Sequence, residues 1–254
     1  MTNTWLQLRQ TSQLAKFNLL CFPFAGGYAE SFLPWRKYLP PDFQLCPIQL
    51  PGRSYRWQEP VYTDIQLLLN AMLPSLLPLL QEQPYLIFGH SMGGYIAYEF
   101  SKALVSRGLP LPKLLVVSSV AAPMHWFSHK ALSKLTQKEF SDFFLDLGGF
   151  HPELLKDAKF INNQITLLRE DIRICESCVY AEPAQFPFPI LGLGGREDDY
   201  IRITSMADWQ QETRVDFNLQ EFSGKHFYMN EHLPAILKLI KEKLNTKNEE
   251  ALTC

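Results

Sequence analysis

Gly89-His90-Ser91-Met92-Gly93 carries the strongest chemical signal in the sequence. It follows the apolar run Leu86-Ile87-Phe88 and leads, through Gly94, into Tyr95-Ile96-Ala97-Tyr98-Glu99-Phe100. That order is strand, sharp turn, helix. A serine at such a turn is held in a strained conformation, exposed for attack, and its neighbours two residues away must be small. Gly89 and Gly93 meet that demand, and the helix behind Ser91 offers backbone N–H groups and a positive dipole end to a developing oxyanion. The bland alternative is a structural turn, which the flanking strand and helix disfavour.

A nucleophilic serine needs a base, an acid and oxyanion donors. Of the six histidines, His90 lies inside the turn and points away from Ser91, while His125, His129 and His151 fall in a helical segment. His232 starts the final helix and reads as a surface or capping residue. His226, in Ser223-Gly224-Lys225-His226-Phe227-Tyr228, follows the last strand, where a glycine-containing loop can swing an imidazole back over Ser91. The acid should follow the preceding strand, where Glu197, Asp198 and Asp199 are adjacent and the residues alone do not separate them. The oxyanion donors would be the Met92 N–H and one from Cys21-Phe22-Pro23-Phe24-Ala25-Gly26-Gly27, with Ala25 first and Phe24 second.

The elements that must position these groups alternate short apolar runs with amphipathic stretches, the pattern of a mostly parallel sheet flanked by helices. Strands are expected over 17–22, 43–48, 85–88, 114–118, 190–193 and 215–221, and helices over 65–80, 93–106 and 233–244. Right-handed crossovers then gather the carboxyl ends of the strands, and the site, along one edge. From about 124 to 183 no strand is convincing, whereas 134–147, 152–159 and 160–179 read as helices. We expect one domain over 1–254, with 124–183 inserted as a helical cap over the site and Gly148-Gly149 as a hinge. The polar end, 245–254, is expected to fray.

Composition excludes several classes. The 254 residues are 46% hydrophobic and 20% charged, enough to bury a large core without staples. Lys plus Arg number 24 against 26 Asp plus Glu, a net charge of -2 that offers no footprint for nucleic acid or an anionic membrane. No signal peptide is visible, and the most apolar stretch, 67–80, is broken by Asn70, Pro74 and Pro78 and is too short to span a bilayer. Five cysteines, an odd number, point to free thiols in a reducing cytoplasm. Cys175 and Cys178 form a C-x-x-C without a second pair, and His125 and His129 lack the glutamate of a metalloprotease helix. Gly192-Leu193-Gly194-Gly195 is too short for a dinucleotide loop, so neither metal nor cofactor is expected.

Four stretches together resemble the type II thioesterases of nonribosomal peptide and polyketide synthases. They are Cys21 to Gly27, Leu50-Pro51-Gly52-Arg53-Ser54-Tyr55-Arg56-Trp57-Gln58-Glu59-Pro60, Gly89 to Gly94, and Gly224 to Tyr228, with Leu168-Arg169-Glu170-Asp171 as a further match. The second stretch discriminates, because general lipases and peptidases of this fold lack it. The resemblance covers nearly the whole chain and implies an α/β-hydrolase fold. It selects Asp198 as the acid, three residues after a glycine, although Asp199 stands where proline is frequent and Lys225 where Asp or Gly is more usual. It also implies hydrolysis of acyl groups from the phosphopantetheine arm of acyl or peptidyl carrier proteins, by a monomer acting in trans. The rivals are a product-releasing or fatty-acyl thioesterase, a carboxylesterase, or a binding protein that has lost catalysis. Acyl-chain preference and the synthase served are not readable from the residues.

Overall fold

The computed structural model describes residues 3–9, 12–128, 131–148 and 158–250. Six strands form one sheet: β1 (Phe17–Phe22), β2 (Phe43–Pro47), β3 (Tyr85–His90), β4 (Leu115–Ser118), β5 (Ile190–Gly195) and β6 (Phe217–Phe222). Their order is β2-β1-β3-β4-β5-β6, and every pairing is parallel. β1 to β5 are buried along almost their whole length, which is why they read as largely apolar runs, whereas β6, at the edge of the sheet, is partly exposed and alternates. Leu20, Phe22 and Ile87 point into a core with α1 (Ile65–Glu82) and α2 (Met92–Ser106). The alternate residues Leu19, Cys21, Leu86 and Phe88 face α6 (Met229–Glu250) and the 3₁₀ segment carrying Phe32 and Trp35.

Several boundaries differ from expectation. β3 runs on to His90, because Gly89 and His90 still pair with Val117 and Ser118 of β4. β6 starts later, since Val215 is half-exposed and its N–H is taken by the Thr213 hydroxyl at 3.1 Å. α6 continues to Glu250, as 245–250 holds no glycine or proline to stop it, and 251–254 lie outside the described residues. Between β4 and β5 stand α3 (Gln137–Asp146) and α4 (Ala158–Glu176), where helices over 134–147 and 160–179 were expected. Thr136 opens α3 with a reciprocal capping box to Glu139. The expected helix 152–159 and Gly149 lie outside the described residues, apart from the start of α4; Gly148 adopts a left-handed φ of 84°. α3 and α4 share a small core of Phe140, Phe144, Ile165, Leu168 and Ile172, against which Ala25 packs.

The turn from β3 into α2 is the tightest place in the fold. Ser91 has φ 54° and ψ -121°, and its N–H donates to the Ser118 carbonyl at 2.8 Å. A Cβ on Gly89 would lie 2.1 Å from the Gly93 carbonyl oxygen, and one on Gly93 would lie 2.2 Å from that of Phe22. Neither obstacle is a side chain that could rotate away. Gly93→Ala should therefore lower unfolding stability by about 3 kcal/mol or more, or prevent folding. Gly108→Ala, at φ 61° with nothing within 4 Å of its Cβ, should lose only about 1–2 kcal/mol. Urea denaturation of the two variants checks this; equal losses would contradict the close approach.

Candidate active site

Ser91 stands at the carboxyl edge of the sheet, between β3 and the N-terminus of α2. The loop after β5 and the loop after β6 meet at the same edge of the sheet. Arg196 N–H donates to the Phe222 carbonyl at 2.8 Å, and Glu197 N–H donates to that of Gly224 at 3.1 Å. Between these loops, His226 Nδ1 and Asp198 Oδ2 are 2.8 Å apart, with both side chains 1% exposed. The other Asp198 oxygen accepts from the N–H groups of Tyr200 and Ile201, each at 3.0 Å. Burial pushes the Asp198 carboxyl up, but the His226 hydrogen bond and charge, with the two backbone donors, hold it below its ordinary value of 3.8. A carboxylate ionised there fixes the proton on Nδ1, which leaves a lone pair on Nε2. That Nε2 is buried and has no hydrogen-bond partner. His90 Nε2 is buried and unpartnered as well, but of the two rings only that of His226 has a carboxylate on its other nitrogen, the arrangement a base needs.

The three adjacent carboxylates thus separate clearly. Glu197 and Asp199 are exposed, and Glu197 accepts instead from the Gly224 N–H. The remaining histidines also sort themselves. His232 bonds Ser223, and His125 pairs with Asp208 at 2.7 Å, whereas His129 and His151 lie outside the described residues. His90 does turn away from Ser91, into a buried chain that the residues alone did not suggest. Its Nδ1 is 2.9 Å from the Ser118 hydroxyl, which is 2.6 Å from the Tyr228 hydroxyl. Burial, reinforced by neighbouring His226, keeps the His90 pKa well below the ordinary value, so this imidazole stays neutral. Its ring packs 5.1 Å from that of His226 and 5.3 Å from that of Phe227.

Ala25 and Met92 line the same cavity as Ser91, a space of about 80 Å³. Met92 opens α2, where backbone N–H groups have no intrahelical acceptor. The Ala25 loop closes as a tight turn from Gly27 N–H to the Phe24 carbonyl at 2.8 Å. Phe24, the second candidate, turns its ring onto Phe227 at 5.1 Å. The cavity walls come from Tyr95, Trp126, Phe144, Leu147, Ile172 and Cys175. Trp126 stacks on Tyr95 with ring centroids 4.1 Å apart. The Cys175 thiol is held neutral, chiefly by burial, and that of Cys178 faces the Ile174 carbonyl at 3.5 Å. Among the described residues, no three His, Cys, Asp or Glu side chains cluster as a metal site, and no helix is long and apolar enough to cross a membrane.

Arg53, the centre of the discriminating stretch, is buried against Asp171 of α4. Its Nη2 lies 2.5 Å from Oδ1 and its Nη1 2.8 Å from Oδ2, a bidentate pair. Asp171 Oδ2 also accepts from the Gly26 N–H at 2.7 Å, and Arg53 donates to the Gly27 carbonyl at 3.1 Å. Removing one partner from such a pair costs about 3–5 kcal/mol in general, because the other charge is left buried alone.

Residues 17–244 match the family model described as the thioesterase domain. The chain belongs to the thioesterase domain family. It is 30% identical over 245 residues to the protein named linear gramicidin dehydrogenase LgrE of Brevibacillus parabrevis, covering 95% of this chain and 93% of that one. It is also 30% identical to the human medium-chain S-acyl fatty acid synthase thioesterase, over 89% of this chain and 85% of that one. The solved type II thioesterase BorB, from the borrelidin biosynthetic cluster, superposes with a TM-score of 0.80 at 31% identity, covering 93% and 95%. The fold is that of the α/β-hydrolases, and the protein is a thioester hydrolase of the serine-hydrolase type. Gly192, Gly194 and Gly195 sit inside buried β5.

Asp198→Asn should lower kcat by about 10³–10⁴, and Asp199→Asn should leave it within about threefold. Steady-state kinetics of the two variants distinguish them. Because the Asp198 pKa is lowered on folding, its ionised form stabilises the fold above pH 3.8, and that contribution disappears as pH falls through the folded pKa. The stability lead of wild type over Asp198→Asn should therefore shrink below about pH 4. A lead that grows there on acid titration would contradict the assignment.

Proposed function

We propose that this thioesterase removes acyl groups from the phosphopantetheine thiol of carrier proteins through an acyl-enzyme on Ser91. The observation that carries this is His226, its Nδ1 backed by Asp198 and its buried Nε2 unpartnered, at the same edge of the sheet as a serine held at positive φ on the wall of a small cavity. His226 Nε2 takes the Ser91 hydroxyl proton as Oγ attacks the thioester carbonyl. The Met92 and Ala25 N–H groups receive the oxyanion, a stabilisation worth about 2.7–4 kcal/mol per donor in such sites. Collapse breaks the carbon–sulfur bond and expels the thiolate, which takes the proton from His226. A thiolate leaves readily, so the site needs no stronger acid. Water then gives its proton to His226, attacks the acyl-enzyme, and returns Ser91 with release of the carboxylic acid.

Residues 124–183 act as a cap in this reading, with Phe144 of α3, Leu147 just after it, and Ile172 and Cys175 of α4 on the cavity wall. The space at Ser91 is about 80 Å³, and one of about 230 Å³ that shares Leu147 and Tyr200 with it reaches Asp198 and His226. Hydrolysing short or aberrant acyl units in trans is an editing role, and relatives named for biosynthetic clusters support it. A fatty-acyl role is the second reading, favoured by the human fatty acid synthase relative.

Mass spectrometry of acyl-loaded carrier proteins, from acetyl to medium-chain, after treatment with the enzyme tests this. Short acyl carriers should be cleared fastest, and Ser91→Ala should lose at least about 10⁴-fold in rate. Faster hydrolysis of simple oxygen esters than of any acyl carrier would sink the substrate assignment.

A further inference from the structure

One face of α4 is joined to the loop that carries Ala25. Gln164, Leu168, Asp171 and Cys175 recur three or four residues apart and so share a side of the helix. Gln164 Nε2 donates to the Tyr28 hydroxyl at one end of this stripe, and Cys175 reaches the Ser91 cavity at the other. Between them, Leu168 lies against Gly26, where a Cβ would come within 3.0 Å of its Cδ2 at a φ of 73°. Asp171 then takes the Gly26 N–H. That amide belongs to the peptide unit immediately after Ala25, while the preceding turn is closed by Gly27 onto Phe24. Arg53 grips the far side of the same loop at the Gly27 carbonyl, and its Nε faces the Pro51 carbonyl at 3.4 Å.

The charges fit a role in the chemistry. A lone buried carboxylate one residue from a developing oxyanion would oppose it, since attraction and repulsion both strengthen away from water. Arg53 neutralises Asp171 bidentately while leaving one carboxylate lone pair for Gly26. The pair is nearly inaccessible, with Arg53 3% and Asp171 0% exposed, so water cannot replace either partner.

We propose that Arg53 and Asp171 are positioning residues for hydrolysis: their buried ion pair holds the Gly26 amide and so aims the Ala25 N–H at the oxyanion. This rests on the reading of Ser91 as nucleophile and Ala25 as oxyanion donor. Neither residue touches the substrate. Their effect is confined to the transition state, where a misaimed donor loses strength and ground-state binding is unaltered.

The test compares wild type, Asp171→Asn, Arg53→Lys and Ser91→Ala on an acyl carrier protein. It reads kcat, KM, melting temperature and inhibition by an acyl trifluoromethyl ketone, which forms a tetrahedral oxyanion adduct with an active serine. Removing an oxyanion donor outright costs about 10²–10³ in kcat, so misaiming one should cost about 10–100-fold. Asp171→Asn and Arg53→Lys should each lose that much, with KM within about threefold and ketone inhibition weakened in parallel. Arg53→Lys keeps the charge, and is the deciding variant should Asp171→Asn fail to fold. A kcat or a ketone affinity within about twofold of wild type, whatever the melting temperature, would reduce the pair to a structural staple and overturn the proposal. If Ser91→Ala retained turnover, the underlying reading would fall and take this proposal with it. If Ser91→Ala is inactive while the other variants match wild type, only the proposal falls.

Discussion

The backbone at Ser91 is held at φ 54° and ψ -121°, a region that a side-chain-bearing residue enters only when its surroundings force it there. Here the forcing is mutual. The Ser91 N–H is tied to the Ser118 carbonyl of the next strand, and α2 presses so close to β1 that only glycine fits at position 93. The strained residue therefore sits where two parallel strands and a helix terminus converge. Strain of about 1–3 kcal/mol is small beside the burial of the two cores that flank the sheet. The position of Ser91, the proposed nucleophile, is thereby fixed by the backbone around it.

The buried polar groups near Ser91 form two connected sets. Asp198 and His226 make one, closed on the acid side by two backbone donors and left open at Nε2. His90, Ser118 and Tyr228 make the other, and Ser119 adds a contact from its hydroxyl to the His226 carbonyl at 3.3 Å. The second set keeps a neutral ring against His226, the proposed base, so no second cation would compete with an imidazolium there. Arg53 and Asp171 do for the oxyanion loop what these groups do for the base.

Much of this was legible in the residues, and the rest was not for reasons of distance. Ser91 and its glycines declare themselves within five positions, because the steric demand of the turn is local. His226 could be chosen by eliminating five other histidines from their places in the alternating pattern. Asp198 and Asp199 could not be told apart locally, since their difference is that one turns inward to an imidazole 28 residues on and the other outward to solvent. The Arg53–Asp171 pair spans 118 residues, and nothing near either residue announces the other. The extent of β3 was misjudged because Gly89 reads as a break, whereas pairing with β4 carries the strand through to His90.

The central claim is that Ser91 becomes acylated. Acid-quenching the enzyme with an acyl carrier during turnover, followed by peptide mass spectrometry, tests it most directly. The peptide containing Ser91 should carry the acyl mass, and Ser91→Ala should carry none. Turnover with no acyl on that peptide, or acyl transferred instead to Cys175 in the same cavity, would contradict the account.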